Sequence, residues 1–298
     1  GQADDFVSIA ALATNAPILL APAMDAGMWE HGAVQTNVET LISRKVCFVG
    51  PNEGYLASGL WGSGRFAESH EILGAISQIL GANGPLKNKK VVVSAGGTIE
   101  SLDPVRSITN RSSGKMGFAI AEAARDQGAK VHLVAAPNNL VKPVGVAVTD
   151  IKSAAEMGTA VIKECQNADV LIMAAAVADF KPLNVEKQKV KRRGKENFTV
   201  DLVQNSDFFN KVPLGVIRVG FSAETQNIIE NAREKLIEKN MDFIVANDVS
   251  RSDIGFDVDH NQVSIIDKTG TITELPFMTK SDTAWSIISH LVKTLKVS

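Results

Sequence analysis

The chain has 298 residues, of which 45% are hydrophobic and 21% charged, a composition typical of globular domains rather than disordered segments. Its 31 basic and 33 acidic residues leave a formal net charge of −2, so no overall field favours nucleic acid or a membrane surface as partner. The two cysteines, Cys47 and Cys165, lack disulfide or metal spacing, and no apolar run approaches the ~20 residues of a membrane span. We therefore expect a cytoplasmic protein of two domains.

Residues 1–82 show the pattern of a small α/β region. Apolar periodicity predicts helices near 6–13, 31–44 and 71–80, strands at 18–21 and 46–49, and a glycine-rich loop after the second strand. The segment Gly-Ala-Asn-Gly-Pro at 81–85 has turn composition, so we place a linker at 83–87. The chain begins at Gly1 rather than at methionine, and we expect it to be part of a longer protein.

Residues 88–298 alternate regularly between strands and helices. Strands are predicted at 91–94, 131–135, 170–174, 216–221 and 243–246, and helices at 114–127, 153–167 and 224–240. This alternation is typical of an α/β fold with a Rossmann-like, doubly wound and mostly parallel sheet. A C-terminal β-hairpin is predicted at 262–267 and 271–275. Ser281 is expected to cap a closing helix whose apolar stripe contains Ile287, Ile288, Leu291 and Leu295.

A long loop joins the first of these strands to the first helix. It reads GGTIESLDPVRSITNRSSGKMG from Gly96 to Gly117, and its glycines, serines and following helix N-terminus suit an anionic ligand such as phosphate or carboxylate. The loop is not a P-loop, because Met116 stands where serine or threonine is required after Gly114 and Lys115. A dinucleotide fingerprint also fails, because the long excursion separates its glycines.

The loops after the later strands are expected to share one crevice with this loop, because ligands bind outside the carboxyl ends of strands in open α/β sheets. The small residues at 175–178 would let a substrate approach the backbone, and Asp179 would meet a ribose hydroxyl or a metal-bound phosphate. Six of the nine residues at 187–195 are basic. This run is either a solvated loop or, as we favour, an arm that closes over a triphosphate; no aromatic residues interleave with it, which argues against nucleic-acid binding.

Several motifs stand in a fixed order between residue 87 and the end of the chain. They are the loop from Gly96 to Gly117, AAAVADF at 174–180, Lys189, Asn205-Ser206-Asp207, GFSAET at 220–225 and Ala246-Asn247-Asp248. Together they resemble the ligase domain of the bifunctional coenzyme A biosynthesis family. That family combines phosphopantothenoylcysteine decarboxylase and phosphopantothenate–cysteine ligase activities.

The resemblance implies a ligation in two steps. The carboxylate of 4′-phosphopantothenate attacks the α-phosphate of CTP, which gives an acyl-cytidylate and pyrophosphate. The amine of L-cysteine then displaces CMP and forms 4′-phosphopantothenoylcysteine. Lysines and Mg²⁺ would neutralise the triphosphate as charge moves. The sequence leaves the Mg²⁺ ligands unidentified, and no residue reads a base edge that would decide between CTP and ATP.

The resemblance also implies roles for individual residues. Two residues would be catalytic, because Asn110 would orient the activated carbonyl in the second step and Lys189 would contact the triphosphate in the first. The implied phosphopantothenate contacts are Arg106, Gly97, Ser113, Gly114, Ala175 and Ala176. The implied CTP contacts are Met173, Ala174, Ala175, Asp179, Lys189, Asn205, Ser206, Asp207, Phe208, Phe221, Lys235 and Lys239. From spacing alone, Lys235 and Lys239 are a helix-surface pair, Phe221 is a core residue and Asn110 is a turn residue.

Residues 1–82 resemble the C-terminal part of the family's flavin-dependent decarboxylase domain, which implies part of a flavodoxin-like α/β domain. The segment PAMDAGMW at 22–29 matches a family motif, but Asp25 stands where asparagine is usual, and Ser58 stands where a flap carries the catalytic cysteine. Serine has a far higher pKa than the ~8.5 of cysteine and is a poor proton donor. We expect no decarboxylase activity and expect FMN only if a separate segment completes the site. His31 is expected to be a surface or capping residue.

Two further functions stay open from the sequence. The flavoprotein part could serve only in assembly, since the resembling family forms trimers through this part while its ligase domains pair, and we expect a homo-oligomer. A nucleotide-sugar or dinucleotide oxidoreductase is disfavoured by the broken glycine fingerprint. The expected partners are therefore 4′-phosphopantothenate, L-cysteine and CTP, and neither nucleic acid nor a membrane.

Overall fold

The computed structural model describes residues 2–191, 198–248 and 258–297. The chain divides into two compact units, Gly1–Leu80 and Gly81–Ser298. The segment 83–87, which we predicted as a linker, lies within the second unit, where the side chain of Leu86 is fully buried. Residues 192–195 of the predicted basic arm fall outside the described residues.

The first unit consists of short elements. In chain order they are α1 (Phe6–Ala13), β1 (Leu19–Leu20), α2 (Ala26–Trp29), α3 (Gly32–Ser43), β2 (Cys47–Phe48), β3 (Asn52–Tyr55), β4 (Trp61–Arg65) and α4 (Ser69–Gly81). Strands β1 and β2 pair in parallel, and β3 and β4 form an antiparallel hairpin. The prediction of a glycine-rich loop after β2 is therefore wrong, because these residues form a hairpin. The rings of Tyr55 and Trp61 pack edge to face across it, with centroids 5.0 Å apart.

Side chains cap the N-termini of three helices in the first unit. The Asp5 carboxylate accepts from two backbone N–H groups at the start of α1, and the Asp25 carboxylate accepts from the Gly27 N–H at the start of α2. His31 Nδ1 accepts from the Ala33 N–H at the start of α3, so the capping role predicted for His31 is confirmed.

The second unit is built on a sheet of eight strands, with small hairpins beyond its edge. The strands of the whole unit, eight of which form this sheet, are β5 (Lys90–Ala95), β6 (Ile99–Ser101), β7 (Ser107–Thr109), β8 (Lys130–Ala135), β9 (Ala147–Asp150), β10 (Val170–Met173), β11 (Phe180–Pro182), β12 (Leu202–Gln204), β13 (Ile217–Glu224), β14 (Phe243–Asp248), β15 (His260–Asn261), β16 (Val263–Asp267), β17 (Ile272–Glu274) and β18 (Met278–Thr279). Its α-helices are α5 (Lys115–Arg125), α6 (Ala154–Cys165), α7 (Ile228–Glu238) and α8 (Lys280–Val297), and a 3₁₀ turn covers Phe209–Lys211.

The strand order of the large sheet is β17-β16-β14-β13-β10-β5-β8-β9. The six strands from β14 to β9 are parallel, and β16 and β17 add the antiparallel C-terminal hairpin that the sequence predicts. Helices α5 and α8 pack on one face, and α6 and α7 pack on the other. The predicted doubly wound, mostly parallel fold is confirmed. Covering on both faces also explains why the strand residues Val91–Val93 are fully buried.

Three local expectations are corrected in the second unit, and one further strand was not predicted. The loop after β5 contains the hairpin β6–β7. The edge strand β9 was not predicted, and in it Val148 and Thr149 are half-buried while Ala147 and Asp150 are exposed. The predicted helix over 224–240 begins only at Ile228, because Glu224 still pairs with Asp248 in the sheet. Ser281 is not the cap of α8: the helix begins at Lys280, and the Thr279 hydroxyl accepts from the Asp282 N–H.

The closing helix α8 places Ile287, Ile288 and Leu291 in the core, as its predicted stripe requires. Within the described ranges, no helix combines the length and the apolar character needed to cross a bilayer.

Candidate functional site

A cavity of about 640 Å³ opens at the carboxyl ends of the central parallel strands in the second unit. It is lined by the start of α5, by the segment after β10, by the end of β13 and by the side chains of α7 that face them. Ligands bind at this edge of open α/β sheets, because the loops that follow neighbouring strands converge there. The position of the cavity is therefore the one that the strand pattern predicts.

Most of the predicted site residues line this cavity. They are Asn110, Ser113, Gly114, Met173, Ala174, Ala175, Ala176, Asp179, Asn205, Ser206, Asp207, Phe208, Phe221, Lys235 and Lys239. Residues that lie up to 129 positions apart in the sequence thus meet on one surface. Three predicted residues, Gly97, Arg106 and Lys189, do not line it.

Asn110 is held at the cavity by a close approach of two backbone segments. A Cβ at position 97 would lie only 2.4 Å from the carbonyl oxygen of Asn110, so glycine is required at Gly97 to admit this approach. The Asn110 amide Nδ2 donates to the carbonyl oxygen of Val177 at 3.2 Å. Gly97 therefore supports the position of Asn110 instead of lining the cavity.

The N-terminus of α5 opens onto the same cavity, and its N-cap residue, a glycine, provides no side-chain cap within the part of the chain that the structure describes. Its N-cap residue, Gly114, has φ +79°, a left-handed conformation that glycine adopts without strain. A Cβ at Gly117 would lie 2.6 Å from the Cβ of Ala95, so this glycine lets the helix pack closely on β5. An uncapped helix N-terminus presents N–H groups and the positive end of the helix dipole, which favours an anionic ligand.

The segment after β10 is fixed through its backbone. The Ala175 N–H donates to the Ser94 hydroxyl at 3.1 Å, the Ala176 N–H to the Gly96 carbonyl at 2.9 Å, and the Ala178 N–H to the Thr98 hydroxyl at 2.9 Å. Small side chains on a fixed backbone leave room for a substrate to approach the main chain. This agrees with the use that the sequence suggests for these alanines.

Two lysines of α7 form the cationic wall of the cavity. Lys235 Nζ donates to the carbonyl oxygen of Phe221 at 2.9 Å, and Lys239 forms an ion pair with Asp207. Burial lowers the pKa of Lys235, although Glu224 and Asp179 oppose the shift. The hydrogen bond to Asp207 instead raises the pKa of Lys239. Both ammonium groups are thus hydrogen-bonded, Lys235 to a backbone carbonyl and Lys239 to a carboxylate, while the Lys235 residue as a whole stays exposed.

The acidic partner of Lys239 is well supported. Burial by itself would raise the pKa of Asp207, but hydrogen bonds from Lys239 and from the Phe209 N–H lower it overall. Asn205 joins the same wall, because its N–H donates to the Asp179 carbonyl at 2.7 Å and its Nδ2 donates to the Ala178 carbonyl at 2.9 Å. The 205–208 segment is therefore bound to the loop after β10.

The cavity also contains residues to which the sequence gave no role. Asn247, Asn261 and Lys280 line it and are each more than nine-tenths buried. The amide oxygens Oδ1 of Asn247 and Asn261 are buried without a hydrogen-bond partner among the described residues, which is costly unless a ligand supplies one. A signal for Asn247 existed in the sequence, because it follows a predicted strand at the same sheet edge. Asn261 lies on the two-residue strand β15 and Lys280 is the first residue of the long helix α8, and no local pattern points to either residue.

The motif positions that depart from the resembling family meet each other in the first unit. The Ser58 hydroxyl donates to Asp25 Oδ2 at 2.7 Å. This hydrogen bond, followed by the one from the Gly27 N–H, lowers the pKa of the Asp25 carboxyl. The Ser58 hydroxyl therefore donates to a carboxylate acceptor, Asp25.

No group of three or more His, Cys, Asp or Glu side chains with metal-binding geometry occurs among residues 2–191, 198–248 and 258–297. Within the cavity, the acidic side chains are Asp179, Asp207 and Glu224. Asp207 is paired with Lys239, and Glu224 accepts from Ser222 and Asn231. Asp179 remains as the carboxylate without a side-chain hydrogen bond in the described structure.

Two protein families match the chain in turn. The family described as flavoprotein matches residues 1–81, and the family described as DNA/pantothenate metabolism flavoprotein C-terminal domain matches residues 86–295. The second match covers more than half of the chain and coincides with the unit that contains the cavity.

Known proteins with high similarity carry both regions. The coenzyme A biosynthesis bifunctional protein CoaBC of Bacillus subtilis is 41% identical over 302 aligned positions, which cover 99% of this chain and 74% of that protein. CoaBC of Vibrio cholerae is 42% identical over 297 positions, which cover 98% of this chain and 74% of the relative. A solved structure of the C-terminal domain of a CoaBC protein superposes with a TM-score of 0.62 at 38% identity, and the match covers 72% of this chain and 100% of that one.

Proposed function

The chain belongs to the CoaBC family of bifunctional coenzyme A biosynthesis proteins, and from this premise we propose that its second unit is a CTP-dependent phosphopantothenate–cysteine ligase. It joins the carboxylate of 4′-phosphopantothenate to the amine of L-cysteine and releases pyrophosphate and CMP. The observation that carries the proposal is that one cavity brings together Asn110, the uncapped N-terminus of α5 and the lysine pair Lys235 and Lys239. Paired ligase units in a homo-oligomer are part of the same proposal.

The lysine wall binds the nucleotide. Lys235 and Lys239 are the cationic side chains of this wall, and ammonium groups form charge-assisted hydrogen bonds with phosphate oxygens. Lys239 and Asp207 hold the 205–208 segment, whose Phe208 lines the cavity beside Phe221. We assign the nucleoside of CTP to Phe208 and Phe221. We assign its phosphates to the two lysines, to the N-terminus of α5 and, as the resemblance implies, to Lys189.

The acyl end of the reaction lies at Asn110. In the first step a carboxylate oxygen attacks the α-phosphorus and pyrophosphate leaves with the electron pair of the broken P–O bond. In the second step the cysteine nitrogen attacks the carbonyl carbon, and the C–O bond to CMP breaks. Asn110 Nδ2, now bonded to the Val177 carbonyl, is the donor that orients the acyl oxygen in that step.

The residues present fit a Mg²⁺ ion. Mg²⁺ prefers oxygen ligands and is usually held by one or two carboxylates together with substrate phosphates. Asp179 is the cavity carboxylate without a side-chain hydrogen bond in the described structure, and we assign it this position. When bound, the ion would neutralise triphosphate charge as pyrophosphate leaves.

The first unit does not offer a site for the phosphate of FMN at helices α1 to α3. Their N-termini are occupied by Asp5, Asp25 and His31, and two of these caps are carboxylates, which repel phosphate. Ser58 also replaces the expected cysteine and donates to Asp25. We therefore propose that residues 2–80 do not decarboxylate 4′-phosphopantothenoylcysteine. Release of CO₂ from that compound by the chain supplied with FMN would contradict this.

The ligase proposal is tested by following pyrophosphate and CMP separately. With CTP and 4′-phosphopantothenate the chain is expected to release pyrophosphate, and CMP release at full turnover is expected only when L-cysteine is added. An arm with ATP in place of CTP decides the nucleotide. If neither nucleotide yields pyrophosphate, the ligase proposal fails and an assembly role takes its place.

Two variants separate the steps. Asn110→Asp is expected to slow CMP release more than pyrophosphate release, because it replaces an amide donor by an acceptor next to the acyl oxygen. Lys189→Ala is expected to slow pyrophosphate release by about 10²-fold, in the range found when one charge-stabilising group is removed. Lys130→Ala, an exposed lysine at the opposite edge of the sheet, is the matched control and should leave both rates unchanged.

A further inference from the structure

A buried carboxylate stands in the turn between β6 and β7, outside the cavity. The Asp103 side chain is fully buried and accepts five hydrogen bonds. Two come from the backbone of its own turn, since Asp103 Oδ1 accepts from the Val105 and Arg106 N–H groups at 2.8 Å each. The Arg106 guanidinium, followed by these backbone donors, holds the pKa of the Asp103 carboxyl well below its usual range. Asp103 is therefore ionised at any working pH.

The remaining acceptor, Asp103 Oδ2, connects this turn to the segment that carries Lys189. It accepts from Arg106 Nε at 3.0 Å, from Arg106 Nη2 at 2.6 Å and from the Val190 N–H at 3.2 Å. Arg106 Nη2 also donates to the Val190 carbonyl at 3.0 Å. Both backbone groups of Val190, the residue directly after Lys189, are thus bound by the Asp103–Arg106 pair.

A second contact ties the same two segments together. The Glu186 N–H donates to the Leu102 carbonyl at 3.0 Å, so residues 186–190 are fixed to 102–106 at both ends. The Arg106 guanidinium also lies over the Phe198 ring, 5.3 Å from its centroid. These contacts join parts of the chain that are more than 80 residues apart. A solvated loop with no role would not require a buried charge as its anchor, because burying an ion is costly unless several donors compensate it.

We propose that Asp103 is a positioning residue for the ligase reaction, and that it sets the place of Lys189 by binding the Val190 backbone. This inference rests on the proposed function. Asp103 does not line the cavity and touches no reacting atom in this assignment. Asp103 acts through the backbone of Val190, the residue after Lys189, and the proposed function places Lys189 against the triphosphate. Removal of the Asp103 carboxylate therefore leaves Lys189 present but displaced.

The test is Asp103→Asn in the full chain. Asparagine keeps one acceptor oxygen for the turn but places an NH₂ group against Arg106 and the Val190 N–H. We expect pyrophosphate release with CTP and 4′-phosphopantothenate to fall about 10- to 100-fold, since a misplacement of about 1 Å costs that much. Amide hydrogen exchange of the peptide containing 183–191 is expected to accelerate in the same variant. An unchanged exchange rate in that peptide overturns the proposal.

The matched control is Asp169→Asn. Asp169 also accepts from a backbone N–H, that of Lys90, and from a basic side chain, Lys89, but it lies at the amino ends of the strands, away from the cavity. We expect it to lower thermal stability without changing the rate of pyrophosphate release or the exchange of 183–191. If both variants slow the reaction equally, Asp103 has only a structural role.

A double-variant cycle tests whether Asp103 acts through Lys189. In the Lys189→Ala background, Asp103→Asn is expected to change the rate of pyrophosphate release less than 3-fold, because the group that it positions is gone. Multiplicative effects overturn the proposal. If Asp103→Asn does not fold, Val190→Pro removes the N–H donor while leaving the Asp103–Arg106 pair in place, and should give the same loss. A wild-type chain that releases no pyrophosphate refutes the proposed function itself, whereas an active chain insensitive to Asp103 refutes only this inference.

Discussion

The two units share the alternation of strands and helices but differ in how much of it is buried. In the first unit the buried apolar residues are Ala67 and Ala75, whereas the second unit contains two continuous clusters that sandwich the large sheet. Large apolar side chains such as Phe6, Leu12 and Leu80 of the first unit are each more than three-quarters exposed. Apolar periodicity therefore predicts helices and strands but does not predict whether they enclose a core.

The difference in burial also explains where a preorganised site is found. The 174–179 segment keeps its position because the Ala175 N–H donates to Ser94 of β5, which is fully buried, and Asn110 is bonded in turn to Val177 of that segment. Asp25 caps a four-residue helix and Ser58 lies in an exposed turn. The two residues are joined by one side-chain hydrogen bond. A site needs a rigid scaffold, and in this chain the second unit provides it.

The largest expected effect is on folding of the separated units. Residues 81–298 should unfold in one cooperative thermal transition, because both faces of their sheet are covered. Residues 1–80 should show no cooperative transition, because so few apolar side chains are buried that conformational entropy is not offset. Circular dichroism and calorimetry of both fragments make the measurement. A sigmoidal transition with a measurable enthalpy in residues 1–80 would remove the contrast.

Thiol labelling of the intact chain should distinguish the units by orders of magnitude in rate. Burial raises the pKa of Cys165 to about 11, opposed by the charge of Lys90, so at pH 8 about one thiol in 1,000 is ionised, against about a quarter for an ordinary cysteine. Cys165 is also fully buried, whereas Cys47 of the first unit is half-buried. Iodoacetamide followed by peptide mass spectrometry should modify Cys47 first.

The pH dependence of that contrast has a definite sign. Between the ordinary cysteine pKa and about 11, the unfolded chain loses the Cys165 proton while the folded chain keeps it, so the free energy of unfolding should fall as pH rises through this range. Cys165→Ala should weaken the fall above pH 9, whereas Cys47→Ala should leave it unchanged. Equal labelling of both cysteines under native conditions would contradict the burial of Cys165.

The sequence predicts the second unit well because its strands and helices are long and strongly periodic. Seven of the eight strands of the sheet, including its hairpin, and the stripe of α8 follow from apolar spacing, whereas the edge strand β9 does not. The short strands β6, β7, β11 and β12 were missed, because three-residue hairpins are fixed by tertiary contacts and have no period to detect. The predicted start of the helix after β13 was too early in the sequence, because strand pairing extends to Glu224 and overrides the local helical pattern.

The site is less predictable than the fold, since it depends on residues that tertiary structure alone brings together. Asn110, Lys235 and Lys239 came from motif resemblance, and they line one cavity. Asn261 and Lys280 carry no local signal. Asn261 lies on the two-residue strand β15, Lys280 is the first residue of the long helix α8, before its apolar stripe, and only the finished fold brings them to the cavity. Arg106 was expected at the substrate, and its guanidinium is bonded to Asp103 beside the cavity.

The smallest expected effect compares two leucines in different units. Leu133 on β8 is fully buried, and Leu133→Ala should lower the free energy of unfolding of the second unit by about 2–5 kcal/mol, the range for truncation of a core leucine. Leu73 on α4 of the first unit is 63% exposed, and Leu73→Ala should change the free energy of unfolding of the chain by no more than about 0.5 kcal/mol. Urea unfolding of both variants at constant m-value makes the comparison. If both variants lose the same free energy, Leu73 is covered in solution by another surface. The first unit would then complete its core by packing against that surface, and the contrast between the two units would lie in what covers them and not in how each folds.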